Sequence, residues 1–408
     1  MEGYKIINDP VFGFIKMRKG LLYDIVGHRL FQRLGRINQL GLAFVVYPGA
    51  RHTRFQHSLG AFYLMTEAVK SLREKGVYIF DSEEEAVEAA ILMHDIGHGP
   101  FSHVLENTLI SGISHEEISI MMMERINSDL GGQLNLAISI FKDEYPNKIF
   151  HQLISSQLDM DRLDYLRRDS FYTGVTEGNI GSARIIKMLN VADDRLVVDY
   201  KGIYSVENYL TSRRLMYWQV YLHRTAVGYE RVLINTLRRA KALVASGQKL
   251  FASPALDYFI RNNVDREWFT THDEALDMYA ELDDSDIWSA LKSWRHADDR
   301  ILATLATDML DRRLFRVEVR DEPVGDDEAD AIARHIAERM AITTADARQY
   351  MMSISAAQKD MYNPEDDSIG ILYKDGTVKD IAEASELLNV QLLSRKIRKY
   401  YLCYQRTE

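Results

Sequence analysis

The chain has a single cysteine, Cys403, in 408 residues. No intrachain disulfide is possible, which fits a reducing compartment and an expected cytoplasmic location. Prolines number only seven and sit near turns, and there is no fixed-period repeat or low-complexity tract. No apolar run approaches the roughly 18–20 residues needed to cross a bilayer, so no membrane association is expected. The opening M-E-G-Y-K-I-I-N-D-P lacks the basic and apolar segments of a secretory signal. Positive charge is also short: 50 Lys and Arg face 60 Asp and Glu, a net charge of −10. A broad nucleic-acid footprint is therefore not expected, and a phosphate substrate would need a local positive site. What is present is ordinary for a globular protein, 46% hydrophobic and 27% charged residues, with a length suited to about two domains.

From about residue 20 to about 315 the pattern is mainly helical. Glu83–Met93, Glu116–Ile126, Val206–Val220 and Glu230–Ala245 each repeat apolar residues at three- and four-residue steps. The stretches 43–49 (A-F-V-V-Y-P-G) and 195–200 (R-L-V-V-D-Y) fit strands or loops. After Arg313 the character changes. Residues 315–319 alternate like a strand, a charged loop follows over 321–329, and Ala331–Ala341 reads as an amphipathic helix. Next come strand-like Y-M-M-S-I-S, a hairpin-like G-I-L-Y-K-D-G-T-V turning at Asp375-Gly376, and K-Y-Y-L-C-Y. The expected fold is mainly α: a helical core over residues 1–313 and a small C-terminal α+β lobe over 314–408.

The chemistry concentrates in I-L-M-H-D-I-G-H-G-P-F-S-H, residues 91–103. Three histidines and an aspartate fall within residues 94–103, where Gly97, Gly99 and Pro100 end an apolar helix. Adjacent imidazole and carboxylate suit a divalent metal, among iron, manganese, zinc, nickel and magnesium. Two ligands rarely suffice. His57, in R-H-T-R-F-Q-H-S-L-G, and Asp161, in Q-L-D-M-D-R-L-D-Y-L-R-R-D, are the candidates to complete the set. The second motif holds four aspartates in eleven residues. Asp161, Asp164 and Tyr165 fall within about one helical turn, and Asp169 lies two turns on along the face of Asp161.

The ordered set H…HD…D, with K-I-I-N-D-P-V-F-G and F-Q-R-L-x-R-I-N-Q-L-G ahead of it, resembles the HD-domain deoxynucleoside triphosphate triphosphohydrolases. It is most similar to the branch of the vertebrate sterile-alpha-motif HD-domain enzyme and its bacterial relatives. The likeness runs over about residues 4–240. Because it begins at residue 4, no sterile-alpha-motif domain is expected.

The resemblance implies a helical HD-domain phosphohydrolase core and roles for individual residues. His57, His94, Asp95 and Asp161 match the metal ligands. His115 matches the proton donor to the leaving oxygen, Glu106 its orienting acid, and His98 and His103 the histidines lining the phosphate path. Arg54 matches an arginine facing the phosphates. Gln39 and Leu40 match the pair touching the sugar 3′-hydroxyl, and Tyr165 and Asp169 the residues that hold the sugar and disfavour a 2′-hydroxyl. Arg162 replaces the usual lysine after the last ligand, turning a point donor into a planar fork. In R-R-L-M-Y-W-Q-V-Y-L-H-R, Arg213 (with Arg214 as rival) and Tyr221 match the phosphate arginine and the base-side tyrosine. The implied reaction is hydrolysis of a deoxynucleoside triphosphate to deoxynucleoside and inorganic triphosphate by a homo-oligomer, dimer or tetramer. A triphosphate carries about four negative charges that must be neutralised locally, which the metal and arginines would do. Two alternatives stand beside it: the same metal site acting on nucleoside monophosphates or phosphodiesters, and a non-catalytic nucleotide- or nucleic-acid-binding relative.

Plainer readings apply to neighbouring residues. Ser114 and Glu117 form a capping box. His98 serves equally well as a satisfied core histidine. Arg51 and His52 read as surface residues. Asp159 and Asp164 read as a helix cap or as partners of Arg167 or Arg168. Met121–Met123 read as core, and the acids at 83–85 as a helix first turn. Guanine-regulated relatives carry an aspartate and an arginine in the early helical segment, where this chain has Gly27 and Gly35. Lys5 and Gln32 remain. Guanine activation at that site is therefore expected to be lost or altered.

Overall fold

The computed structural model describes residues 3–106, 108–359, 362, 368–386 and 397–406, with the backbone alone for Ser102, His103 and Lys359. The chain opens on an antiparallel hairpin, β1 (Tyr4–Asp9) and β2 (Gly13–Arg18), paired from Tyr4–Arg18 to Asp9–Gly13. Asp9 makes its turn, Oδ1 accepting from the N–H groups of Val11 and Phe12 at 2.9 Å each. Helices α1 (Leu21–Gly27) and α2 (Arg29–Gln32) lead into a loop with short 3₁₀ turns at Arg33–Arg36 and Ala43–Val45. The 43–49 stretch is thus turn and loop.

The core is helical, as the periodicity predicts. α3 (Arg54–Glu74) packs between α4 (Asp81–Met93) and, further along the chain, the helix Met160–Thr173. Between them run α5 (Ser102–Glu106), α6 (His115–Asp129), α7 (Asn135–Phe141) and α8 (Ile149–Ile154), so Met160–Thr173 is α9. α10 (Ser182–Met188) precedes the hairpin β3 (Leu189–Ala192) and β4 (Arg195–Asp199). α11 (Ile203–Met216) runs into a π-turn, Tyr217–Tyr221, and then α12 (Arg224–Ala245). The 206–220 periodicity is therefore right in type, but the α-helix ends at Met216 and the remaining residues widen into the π-turn. α13 (Pro254–Arg261), α14 (Arg266–Thr271), α15 (Glu274–Glu281), α16 (Asp284–Trp294) and α17 (Arg300–Leu310) complete the helical part.

Beyond it, β5 (Arg316–Arg320), β6 (Met352–Lys359) and β9 (Ile397–Tyr404) form an antiparallel sheet in the order β5-β9-β6, flanked by α18 (Asp326–Met340) and α19 (Thr344–Tyr350). The 321–329 charge run is only partly loop, because Asp326, Asp327 and Glu328 form the first turn of α18, where the helix dipole favours acids. β7 (Gly370–Leu372) and β8 (Val378–Asp380) make the expected hairpin, with Gly376 at φ 85°, followed by α20 (Ile381–Ala384). On its other edge β7 joins a strand from far earlier in the chain. It pairs in parallel with β4, Val198 beside Ile371, so residues near the C-terminus extend a sheet begun at residue 189.

α3 and α9 approach closely at Gly60. A Cβ there would lie 1.9 Å from Asp164 Oδ1 and 2.1 Å from Arg168 Nη2. Only the missing side chain lets α3 lie against this buried ion pair.

Candidate metal centre

Helix caps aim the candidate residues. Thr53 caps α3 and Gln56 returns the bond to the Thr53 N–H, which places Arg54 first and His57 fourth in the helix. Asp159 caps α9 through the Arg162 N–H (2.7 Å), so Asp161 falls in the first turn. The Ser114–Glu117 capping box makes His115 the first residue of α6. His94 is the C-cap of α4. Three helix N-termini therefore meet the end of a fourth helix, and the partial positive charge of such termini suits anions.

Four of the candidates converge. His57 Nε2 lies 3.2 Å from His94 Nε2 and 3.0 Å from Asp161 Oδ1, and His94 Nε2 lies 3.4 Å from the same oxygen. Asp95 Oδ1 is 3.5 Å from His94 Nε2, and Oδ2 is 3.7 Å from His57 Nε2. The outer ring atoms are committed. His57 Nδ1 is 2.7 Å from Asp164 Oδ2, and His94 Nδ1 is 2.6 Å from the carbonyl of Ile91. Both partners only accept, so each Nδ1 carries a proton, and in the neutral rings both Nε2 lone pairs point inward at one another. That arrangement demands a cation.

The same demand shows in the titration of these groups. Burial opposes a charge on His57, yet the hydrogen bonds it donates to Asp161 and Asp164, with the charges of Asp164 and Asp95, outweigh it and raise its pKa to about 10. His94 is also raised, against burial, by the charges of Asp95 and Asp161. Asp161 is held below the usual carboxylate range despite burial, by the two histidines. A divalent ion meets this need, and its ligands would be two imidazole nitrogens and one or two carboxylates.

Beyond Asp95 the site continues. Arg54 Nη1 donates to Asp95 Oδ2 at 2.5 Å, and His98 Nε2 lies 3.3 Å from Oδ1. His98 stacks on His115 with centroids 3.9 Å apart and planes 17° apart, and His115 Nδ1 is 3.1 Å from Glu106 Oε1. Burial, reinforced by the Arg54 charge, lowers His98 to about 3, so its ring is neutral. His115 moves upward, because its bond to Glu106 and the charges of Asp95, Glu106 and Glu116 together outweigh burial. Nitrogens of His98 and His115 and an oxygen of Glu106 lie within 4.8 Å of one another. In-plane lone pairs of stacked rings run side by side and do not meet, so this trio suits proton handling better than ion binding. The His103 side chain lies outside the described residues.

The loop after the doublet is clamped at almost every carbonyl. Ser119 Oγ donates to His94 O at 3.1 Å and accepts from the Gly97 N–H at 2.9 Å. The fully buried Arg33 donates to Ile96 O (3.0 Å) and His98 O (2.7 Å), and Tyr279 Oη donates to Gly97 O (2.8 Å). None of these three clamps was foreseen, and nothing in local sequence marks them.

The remaining candidates form two groups. Arg162 and Arg213 turn toward one amide oxygen, Gln157 Oε1, at 3.4 and 2.8 Å. Burial works against the charge on Arg162, but the neighbouring Asp159 carboxylate raises its pKa. Burial in turn pushes Asp159 up to about 7. Asp169 accepts from Tyr221 Oη at 2.8 Å and sits 2.7 Å from His52 Nε2. The Tyr165 ring lies 6.0 Å from that of Tyr221 and 6.5 Å from that of His57. The Gln39 N–H donates to His52 O at 2.9 Å, while its Oε1 is buried with no partner among the described residues. Leu40 is half-buried against the core. His52, read as a surface residue from sequence, is 1% exposed. Its sequence neighbours are loop residues with no periodicity, so burial there leaves no signature. Asp164 has the expected partner, Arg168, and a second one, His57.

The fold and this donor set define an HD-domain protein, and the chain matches the HD domain over residues 54–168 and an HD associated region over 180–252. It belongs to the HD-domain family related to the deoxynucleoside triphosphate triphosphohydrolases. It is 33% identical to the uncharacterized protein YwfO of Bacillus subtilis, over 98% of this chain and 92% of that one. A crystal structure of a protein described as a phosphohydrolase, from Bacteroides thetaiotaomicron, superposes with a TM-score of 0.97 at 63% identity, covering 99% of this chain and all of that one. The human deoxynucleoside triphosphate triphosphohydrolase SAMHD1 is 30% identical over 63% of this chain, which spans 48% of that enzyme's length. HD domains are metal-dependent, and the His57, His94 and Asp161 group fits that requirement. Among the described residues no helix is long and apolar enough to cross a membrane.

Proposed function

We propose that the chain hydrolyses deoxynucleoside triphosphates to deoxynucleoside and inorganic triphosphate. The observation that carries the reading is a grouping around one donor cluster. Arg54 bonds Asp95 of the cluster His57, His94, Asp95 and Asp161, and Arg162, next to Asp161 on α9, shares Gln157 with Arg213 of α11. Gln39, Asp169 and Tyr221 form a polar wall linked through His52. The Tyr165 ring, 6.5 Å from that of His57 and 6.0 Å from that of Tyr221, links this wall to the cluster, which supports reading the arginines as phosphate groups and the wall as a sugar pocket beside one metal site.

A divalent cation in that cluster would supply Lewis acidity and charge neutralisation at the α-phosphate. Arg54, Arg162 and Arg213 would bind phosphate oxygens through charge-assisted hydrogen bonds. Asp169, Gln39, Leu40 and Tyr165 would hold the deoxyribose, with Tyr221 on the base side. A water oxygen forms a bond to the α-phosphorus as the bond from phosphorus to the 5′-oxygen breaks, and the proton that the water gives up passes to solvent, from which His115 is reprotonated for the next turnover. His115 delivers a proton to that leaving oxygen, oriented and kept basic by Glu106. His98, neutral and stacked on His115, adds no competing charge.

The test is to incubate protein loaded with iron, manganese, zinc, nickel or magnesium with each deoxynucleoside triphosphate and to identify the phosphate product. Inorganic triphosphate supports the reading. Hydrolysis of monophosphates or phosphodiesters alone would replace it, and no turnover with any metal would end it. Gly27 and Gly35 offer no side chain to a base, and Gln32 is already bonded to the Val26 carbonyl at 2.7 Å. Guanosine triphosphate is therefore expected not to stimulate turnover. We further propose a cytoplasmic homo-oligomer, dimer or tetramer, which light scattering would check.

A further inference from the structure

We infer that His52 is a positioning residue that sets Asp169 for sugar recognition, and through it the preference for deoxyribose over ribose. The inference rests on the triphosphohydrolase reading. Asp169 is 1% exposed, and a carboxylate so deeply buried needs hydrogen-bond donors. Two are described, one on each oxygen: His52 Nε2 at 2.7 Å on Oδ1 and Tyr221 Oη at 2.8 Å on Oδ2. Each oxygen can accept once more, so the pair fixes the carboxylate plane while leaving capacity for a sugar hydroxyl.

His52 itself cannot turn. Its ring lies on Tyr172, with centroids 4.4 Å apart and planes 17° apart. Tyr172 Oη accepts from Gln56 Nε2 at 3.0 Å, and Gln56 Oε1 accepts from the Thr53 N–H at the start of α3. The His52 carbonyl accepts from the Gln39 N–H. One residue thus ties the Gln39 loop, the α3 cap and the α9 carboxylate together, and it is buried behind Asp169, with no surface left for a ligand. Without its ring donor, Asp169 Oδ1 loses the bond that fixes its rotamer. The freed carboxylate then accepts from a 2′-hydroxyl as readily as from a 3′-hydroxyl.

The experiment compares wild type with His52→Phe, which keeps the stack on Tyr172 but has no donor, and His52→Gln, which keeps a donor. For each, kcat and KM are measured with deoxyadenosine and adenosine triphosphates, together with bound metal and melting temperature. His52→Phe is expected to lower the deoxy-to-ribo ratio of kcat/KM at least about ten-fold, mainly through KM for the deoxynucleotide, with metal content unchanged. His52→Gln should recover part of the loss. His52→Phe added to Asp169→Asn should change the ratio no further. A ratio within two-fold of wild type, or an additional loss in the double variant, overturns the inference. If wild type turns over neither nucleotide, the triphosphohydrolase reading fails, and the ratio of dissociation constants for the two nucleotides decides the role of His52 by the same criterion. If His52→Phe does not fold, the ratio is read from His52→Leu in the same comparison, and an unchanged ratio there equally overturns the inference.

Discussion

His57 is held at both ring nitrogens by aspartates one turn apart on α9: Asp164 Oδ2 lies 2.7 Å from Nδ1 and Asp161 Oδ1 lies 3.0 Å from Nε2. The first fixes the tautomer, and the second shares with His57 the place of a metal. Asp164 is itself bonded by Arg168, which reaches Asp9 in the N-terminal hairpin turn at 2.7 Å. The chain Asp9–Arg168–Asp164–His57 therefore runs from the first hairpin to the metal site. Replacing Asp164 with asparagine removes the charge that orients His57. Such partners typically contribute 10–100-fold in metal affinity, and a loss of about ten-fold or more in a chelator titration is expected. Unchanged affinity in a folded variant would show that His57 needs no orienting charge.

Gly97 allows α6 to press on the loop that follows the doublet. A Cβ there would lie 2.2 Å from His115 O and 2.3 Å from Ser119 N, both backbone atoms. Gly97→Ala must push α6, and with it His115, off the loop. A stability loss of roughly 3 kcal/mol is expected from overpacking of this kind, read by denaturant unfolding. Turnover should fall further than the unfolded fraction explains.

Gln157 holds Arg162 and Arg213 without charge of its own. Gln157→Glu converts that contact into an ion pair that competes with phosphate for both guanidinium groups. KM for the triphosphate, and the inhibition constant of inorganic triphosphate, should rise about ten-fold, with kcat changing less. Equal or tighter inhibition by triphosphate would remove both arginines from the phosphate path.

Asp308, 2% exposed on α17, is pushed up by burial to about 7, whereas an unfolded aspartate titrates near ~3.9. Below that lower value both states are protonated and nothing is lost. As pH rises from about 4 to 7 the unfolded state ionises first, so native stability falls through this window. Asp308→Asn removes the contribution. Its unfolding free energy should decline less than wild type between pH 4 and 7, by on the order of 2 kcal/mol. Parallel pH profiles for the two proteins would contradict this.

The periodic helices at 83–93, 116–126 and 230–245, the strands after 315 and the Asp375-Gly376 turn were legible because each is specified by residues within one turn or one strand of each other. The donors His57, His94, Asp95 and Asp161 were legible for a different reason: their order and motifs are kept in the chain itself. The 43–49 and 321–329 stretches were less legible, since apolar loop and helix first turn share composition with strand and solvated loop. Only tertiary structure decided that Asp164 would grip the outer nitrogen of His57, and that Arg33 and Tyr279 would clamp the loop after the doublet. It alone joined β7 to β4 and buried His52 behind Asp169. Each of these joins residues far apart in sequence through close approach or a directional hydrogen bond. Amino-acid order sets which groups are available for such contacts, and their meeting depends on how the helices pack.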